Sequence, residues 1–515
     1  MRSPTFSRFL ALCTLACLCI GLLSLKLLQY RFGGYDLSAL IDSGWRVYLG
    51  QAPNRDFICT FPPILYLAVA LAFKILGVRW LAITIAGAIF PLILTIAGLR
   101  ILYLLRPHIP DARLRWLALI YTALQMTPLL AVGFPWHSSW TETASLYALL
   151  ATFALATSNP PLRSIRLELP AHVALAETLL LLAKPNVALP ILLGCTITLL
   201  VARHIRTALL AIISAALLAS LLLAFAHTSL LATYSLYFQL TSRFQPGHFL
   251  AGILYNKDLS VGFQRWTIYA ILVPATLWII IQSLRRTATP MWLRALALTG
   301  LIAAWLGIGT NVEFALVDAP VLILAAALLA STRAHTFAPS AITAATYILV
   351  AIALFYGISR ARMQEIGVWA EAETCNTESS IQDPFFGGFT TCRNLASVLA
   401  ETDAAIHTRN AQSVFFGPRM EFLYARYRLT SPRGLPLWWH PGSSYPLPCE
   451  RRILAAFEAD RPQILIFLHD DRSHMPAALL DLIDREYQQL PHPPAPHYAD
   501  LANDPTAQID IYIRR

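Results

Sequence analysis

Three stretches of this chain bring acids, cations and aromatic residues together at spacings suited to chemistry beside an apolar phase. The first runs through Gly34-Tyr35-Asp36, Ser43-Gly44-Trp45, Gly50, Pro53, Arg55-Asp56-Phe57 and Phe61-Pro62-Pro63-Ile64-Leu65-Tyr66. It begins a few residues after a long apolar run. A carboxylate held there in a partly dry cleft can act as a general base and take a proton from a hydroxyl. Asp36 is the candidate. The competing account for Asp36 is an N-cap, accepting from the free N–H groups of the helix that follows. Asp56 is a second acid in the same loop, with a salt bridge to its neighbour Arg55 or a turn role as the alternative. Asp42 reads as a solvated helix position.

The second stretch is Gly133-Phe134-Pro135-Trp136-His137-Ser138-Ser139-Trp140-Thr141-Glu142, a polar, aromatic break with Glu142 at the mouth of an apolar run. A carboxylate at the start of a helix is also favoured by the helix dipole alone. Lys184-Pro185-Asn186 interrupts a further apolar run. A cation at headgroup depth suits a lipid phosphate, although a lysine that snorkels to the interface gives the same pattern. The third stretch, roughly 228–266, carries Arg243, His248, Lys257 and Arg265. Together these add positive charge that can stabilise an anionic leaving group, while for each one singly a plain surface position is the favoured account. Glu313 and Asp318 flank another apolar run and rank below Asp36.

The elements that must position these residues follow from composition. Hydrophobic residues make up 57% of the 515 and charged residues 13%, a balance foreign to a water-soluble globule of this length. Apolar runs recur near the ~20 residues that a helix needs to cross a hydrocarbon core, and Arg, Pro, Gly and His fill the breaks. The net charge of +10 does not point to nucleic acid. Arg106, Arg113, Arg115, Arg163, Arg166, Arg203, Arg206, Arg285, Arg286, Arg294 and Arg333 sit in short breaks, the positive-inside pattern.

Taking alternate breaks as cytoplasmic predicts about eleven spans. They fall near 9–28, 79–103, 115–133, 142–157, 169–183, 187–202, 207–227, 267–284, 292–309, 314–331 and 339–357. The first follows Arg2 and Arg8, lacks a small-residue cleavage site and is expected to stay as an anchor with a cytoplasmic N-terminus. Pro62 to Gly77 is apolar but short, and is read as a helix lying against the outer leaflet. The fold class expected for residues 1–358 is therefore an all-α polytopic membrane domain. Its outer loops would be 30–78, 133–142 and 228–266.

Beyond residue 358 charges, Asn, Gly and Pro become frequent, and residues 359–515 read as a small soluble α/β domain outside the membrane. Ser413 to Phe416, Gln463 to Leu468 and Ile509 to Ile513 read as strands. Met420 to Tyr427 and Ile453 to Asp460 read as helices, and Ser359 to Pro384 as a linker. Cys59, Cys375, Cys392 and Cys449 fall outside the membrane in this layout. They could form two disulfides, Cys375–Cys392 being the most local, or stay unpaired. No Cys-x-x-Cys or His-Glu-x-x-His spacing suggests zinc.

Gly-Tyr-Asp after the first span, Gly44-Trp45, Gly50-x-x-Pro53-x-Arg55-Asp56-Phe57 and Phe61-Pro62-Pro63 resemble the first outer loop of the C-type (GT-C) integral membrane glycosyltransferases. The branch they are most similar to contains the protein O-mannosyltransferases, the lipid A aminoarabinose transferases and their bacterial relatives. The resemblance covers the membrane half. It implies that Asp36 is the catalytic base, that Glu142 is a second functional acid, that Lys184 meets the donor phosphate, and that the donor is a sugar linked to polyprenyl phosphate. Many relatives carry Lys or His where this chain has Phe61, and a second acid where it has Leu37, so neither contact is available here.

The expected function is transfer of a sugar from that donor to an acceptor hydroxyl on a lipid, a glycan or a protein. It would take place on the outer face of a bacterial-type inner membrane, among membrane lipids and without nucleic acid. No cofactor is required, although a divalent cation can be accommodated. A surface-glycan polymerase or ligase is the nearest alternative enzyme. A transporter of lipid-linked glycans is the alternative from another class, and it would need charged groups buried within the spans.

Overall fold

The computed structural model describes residues 4–28, 35–132, 137–158, 167–240, 262–284, 289–310, 319–331, 378–408, 411, 413–442, 444–468, 474–490 and 509–515. Helices dominate. In chain order they are α1 (Pro4–Leu28), α2 (Tyr35–Tyr48), α3 (Pro63–Leu76), α4 (Trp80–Leu104), α5 (Asp111–Val132), α6 (His137–Thr157), α7 (Glu168–Leu182), α8 (Pro185–Val201) and α9 (Ile205–Ala224). There follow α10 (Leu230–Gln239), α11 (Gly262–Leu284), α12 (Met291–Thr310), α13 (Ala319–Ser331), α14 (Arg393–Thr408), α15 (Phe422–Tyr427), α16 (Glu450–Asp460) and α17 (Ala477–Glu486). The strands are β1 (Glu378–Asp383), β2 (Gly387–Cys392), β3 (Val414–Phe416), β4 (Ile464–Leu468), β5 (Tyr487–Gln489) and β6 (Ile509–Arg514).

Each of the first ten expected spans has a helix at its place, and 339–357 lies outside the described residues. Among the described residues four helical stretches are long and apolar enough to cross a membrane: Phe6–Leu23, Trp80–Leu104, Ile205–Ala224 and Met291–Thr310. The surface of α9 shows what such a helix needs around it. Leu209, Leu210, Ile213, Leu217 and Leu221 recur at helical spacing, and each is more than half exposed. A continuous apolar face of that kind is stable against lipid or protein and costly against water.

The chain folds as two compact units. One comprises residues 1–25, 87–221 and 243–359, the other residues 26–86, 222–242 and 360–515.

The first unit is a helical bundle. Its core runs from Phe6 and Leu10 of α1 through Leu102, Tyr121, Leu149, Phe153, Ile191 and Leu296 to Leu324 and Leu328 of α13. Helices come close where a side chain is missing. At Gly194 of α8 a Cβ would collide with the side chain of Thr299 on α12, and at Gly300 it would collide with the Cβ of Ala325 on α13. Small residues let helix backbones approach in this way, so packing replaces the hydrophobic drive that lipid cannot supply.

The second unit is built on a four-stranded sheet in the order β3-β4-β6-β5, with β3 and β4 parallel and the other pairs antiparallel. Phe415, Phe467, Phe457, Leu479, Ile483 and Tyr512 fill the core between this sheet and its helices. The expected strands and helices of the C-terminal region are present. The expected linker is not continuous, because β1 occupies 378–383 and pairs as a hairpin with β2. Residues 26–86, far away in sequence, belong to this same unit. Helix α2 packs on α3, with Gly44 lying directly against Val69. The loop between them pairs with the C-terminal region: Ile58 N donates to Leu435 O at 3.1 Å, Leu437 N donates to Ile58 O at 3.1 Å, and the rings of Phe61 and Trp438 lie 4.6 Å apart.

Candidate functional site

Within the second unit the key element is α2. Its sequence has two faces. Leu37, Leu40, Ile41 and Gly44 form a buried row of which Gly44 meets Val69 of α3, while Ser38, Asp42, Trp45 and Arg46 form a second row at helical spacing. That row is buried against α15 and the residues after it, which overturns the reading of Asp42 as solvated: its side chain is 0% exposed.

Asp42 Oδ2 accepts from Arg46 Nε at 2.6 Å, one turn along the helix. The hydroxyl of Ser431 donates to Asp42 Oδ1. Arg46 Nη1 donates to Pro432 O, Gln51 Nε2 donates to Ser431 O at 2.7 Å, and Trp45 Nε1 donates to Leu429 O at 2.8 Å. The Arg46 guanidinium also lies 5.1 Å from the centre of the Phe57 ring. A buried ion pair is tolerable only when its spare lone pairs and protons are hydrogen-bonded in this way.

Ser38 completes the row. Its Oγ donates to Glu421 Oε2 at 2.6 Å and accepts from Phe422 N at 3.0 Å, so it caps the start of α15 from a different helix. Glu421 Oε1 accepts from Arg419 N at 3.1 Å. Burial is the main reason the Glu421 carboxyl is pushed up to about 8, against the pull of Ser38 and with a further push from the Asp42 charge. Burial likewise raises Asp42, opposed by Arg46 and Ser431.

Asp36 lies in the first turn of α2. It precedes Ser38 by two residues. Asp56 has a structural role. Its Oδ2 accepts from Ala52 N at 2.8 Å and pairs with Arg55 at 3.0 Å, while its carbonyl accepts from Gly434 N at 2.6 Å. Arg55 is the main reason the Asp56 carboxyl is held below its ordinary range. The salt-bridge and turn account of Asp56 is therefore the one its contacts favour.

In the first unit, Glu142 and Lys184 come to the same end of the bundle. Lys184 N donates to the hydroxyl of Thr141, the residue before Glu142, at 3.0 Å. Lys184 itself is half-buried at the start of α8. Glu142 is fully buried, and its Oε1 accepts from Val321 N at 2.6 Å. The carboxylate thus serves the N-terminal turn of α13 as well as standing in the first turns of its own helix.

Arg243, His248 and Lys257 lie outside the described residues, as does Cys375. The backbones of Arg265 and Cys392 fall in α11 and β2. Cys59 and Cys449 are free thiols, so the two-disulfide arrangement does not form. Among the described residues no three His, Cys, Asp or Glu side chains gather as a metal site.

Two features escaped the sequence reading. The partnership of Ser38 with Glu421 leaves no local signal, because 383 residues separate them. Glu177 was legible as an acid inside an apolar run, Ala176-Glu177-Thr178-Leu179, and it is buried in α7. A scan of the chain against known protein families finds no match, and a search of the curated proteins finds none either.

Proposed function

We propose that this protein is a membrane glycosyltransferase that moves a sugar from a polyprenyl-phosphate donor to an acceptor hydroxyl at the outer membrane surface. Asp36 takes the hydroxyl proton as the oxygen attacks the anomeric carbon. The bond from that carbon to the phosphate oxygen breaks with inversion, and polyprenyl phosphate departs with both electrons. Lys184 and an arginine of the third stretch, Arg243 or Arg265, neutralise the charge that develops on the phosphate.

The reading requires the eleven-span layout with a cytoplasmic N-terminus and the second unit outside. One observation carries it furthest. The acid-bearing first turn of α2 follows closely on α1, and α2 is fastened to α15 by the buried row Ser38, Asp42 and Arg46. A base must be held to within a fraction of an ångström, and a short helix with a fixed docking face is suited to that. The gathering of Glu142 and Lys184 at one end of the bundle fits a phosphate subsite. A transporter of lipid-linked glycans is the second reading, favoured by Glu177, a carboxylic acid buried among the spans.

The deciding experiment uses the full chain in reconstituted membranes with a polyprenyl-phosphate sugar. Asp36→Asn should lower transfer by about a hundredfold or more at unchanged expression. Full activity in that variant removes Asp36 from the mechanism.

A further inference from the structure

Glu177 sits near the middle of α7, 1% exposed, and neither of its carboxyl oxygens has a hydrogen-bond partner. Helix α7 packs against α6 and α8. Among the described side chains the titratable groups on those two helices are Glu142 and Tyr147 on α6 and Cys195 on α8. Of these, Cys195 is the one close enough to feel the Glu177 charge, and its thiol is hydrogen-bonded to Thr152 of α6. No cation reaches Glu177 to form an ion pair among the described residues. An ionised carboxylate in such a place has nothing to replace its hydration, which makes the protonated form the resting one.

His172 stands five residues toward the start of α7 and about 140° around the helix from Glu177. Its Nδ1 is hydrogen-bonded to Tyr147 OH at 2.5 Å, and its Nε2 lies 4.0 Å from Glu168. Glu168 is half-exposed at the helix end and paired with Arg100 at 2.7 Å. These groups are partnered with one another, and Glu177 stands apart from them. A carboxyl kept solely for packing would be replaced without loss by Leu or Met.

We infer that Glu177 is a proton-binding site inside the helical bundle. It is independent of sugar transfer at Asp36. Proton-driven movement of a lipid-linked anion would use a site of this kind, and surface transfer chemistry would not.

The test is labelling of the full-length protein in lipid vesicles with dicyclohexylcarbodiimide, which attacks protonated carboxyls in apolar surroundings. A mass-mapped adduct on Glu177 is expected, absent in Glu177→Gln, not formed by a water-soluble carbodiimide, and falling roughly tenfold per pH unit above its midpoint. The wild-type measurement stands even if the variant does not fold. No adduct on Glu177, an adduct insensitive to pH between about 5 and 10, or equal labelling from water would overturn the proton site.

Discussion

Ser38 Oγ lies 2.6 Å from Glu421 Oε2, joining the first turns of α2 to the start of α15 across 383 residues of sequence. The consequence is that the acid-bearing helix near the N-terminus and the C-terminal sheet fold as one unit, and disturbance of either reaches the other.

The first prediction concerns pH. Glu421 is raised from an ordinary value of 4.5 to about 8 by burial. Between these two values the folded unit holds a proton that the unfolded chain has released. Stability is therefore greatest below the ordinary value, declines as pH rises through this window, and levels off above the folded value. Thermal unfolding of the full chain in detergent should show this decline. Glu421→Gln should flatten it, and an unchanged slope in that variant would assign the dependence to another group.

Asp42 and Arg46 are buried together and serve each other. Removing one partner by Asp42→Ala leaves an uncompensated buried guanidinium and should cost about 3–5 kcal/mol. Asp42→Asn, which keeps a hydrogen-bond acceptor for Ser431, should cost less. Denaturant unfolding of the two variants side by side measures the difference.

At Gly194 a methyl group would meet the Thr299 side chain. Gly194→Ala should destabilise the bundle by about 1–3 kcal/mol, since a close-packed interface takes up extra volume poorly. Thr299→Gly in the same molecule should recover part of the loss. A melting temperature unaltered by Gly194→Ala would mean that α8 and α12 do not approach as closely as the structure has them.

The two free thiols of the second unit should differ in reactivity. Cys59 is buried, and burial pushes its thiol up to about 12, whereas Cys449 is half-exposed. Maleimide applied to the folded protein should modify Cys449 and spare Cys59 until denaturant is added. Early modification of Cys59, mapped by mass spectrometry, would show that the loop around it opens readily.

What the amino-acid sequence determined by itself is the material of each element. The apolar runs and their Arg-bearing breaks specify where helices lie, because a run of about twenty apolar residues has few other ways to satisfy its backbone. Three of the four strands of the C-terminal sheet, β3, β4 and β6, were legible for a similar reason, as short β-branched and aromatic runs bounded by turn residues, and β5 was not. The candidate acids and cations were legible as residue types at suggestive places.

Only the tertiary structure decided their partners. Asp42, on an amphipathic helix with an arginine one turn away, has the sequence signature of a solvated pair, and it is buried because Ser431 and Pro432 close over it. Asp56 turned out to hold its own loop through Ala52 and Gly434. Glu142 meets Val321, 179 residues later. Burial and hydrogen bonding of a polar group depend on what packs over it from distant sequence, and local periodicity carries no information about that.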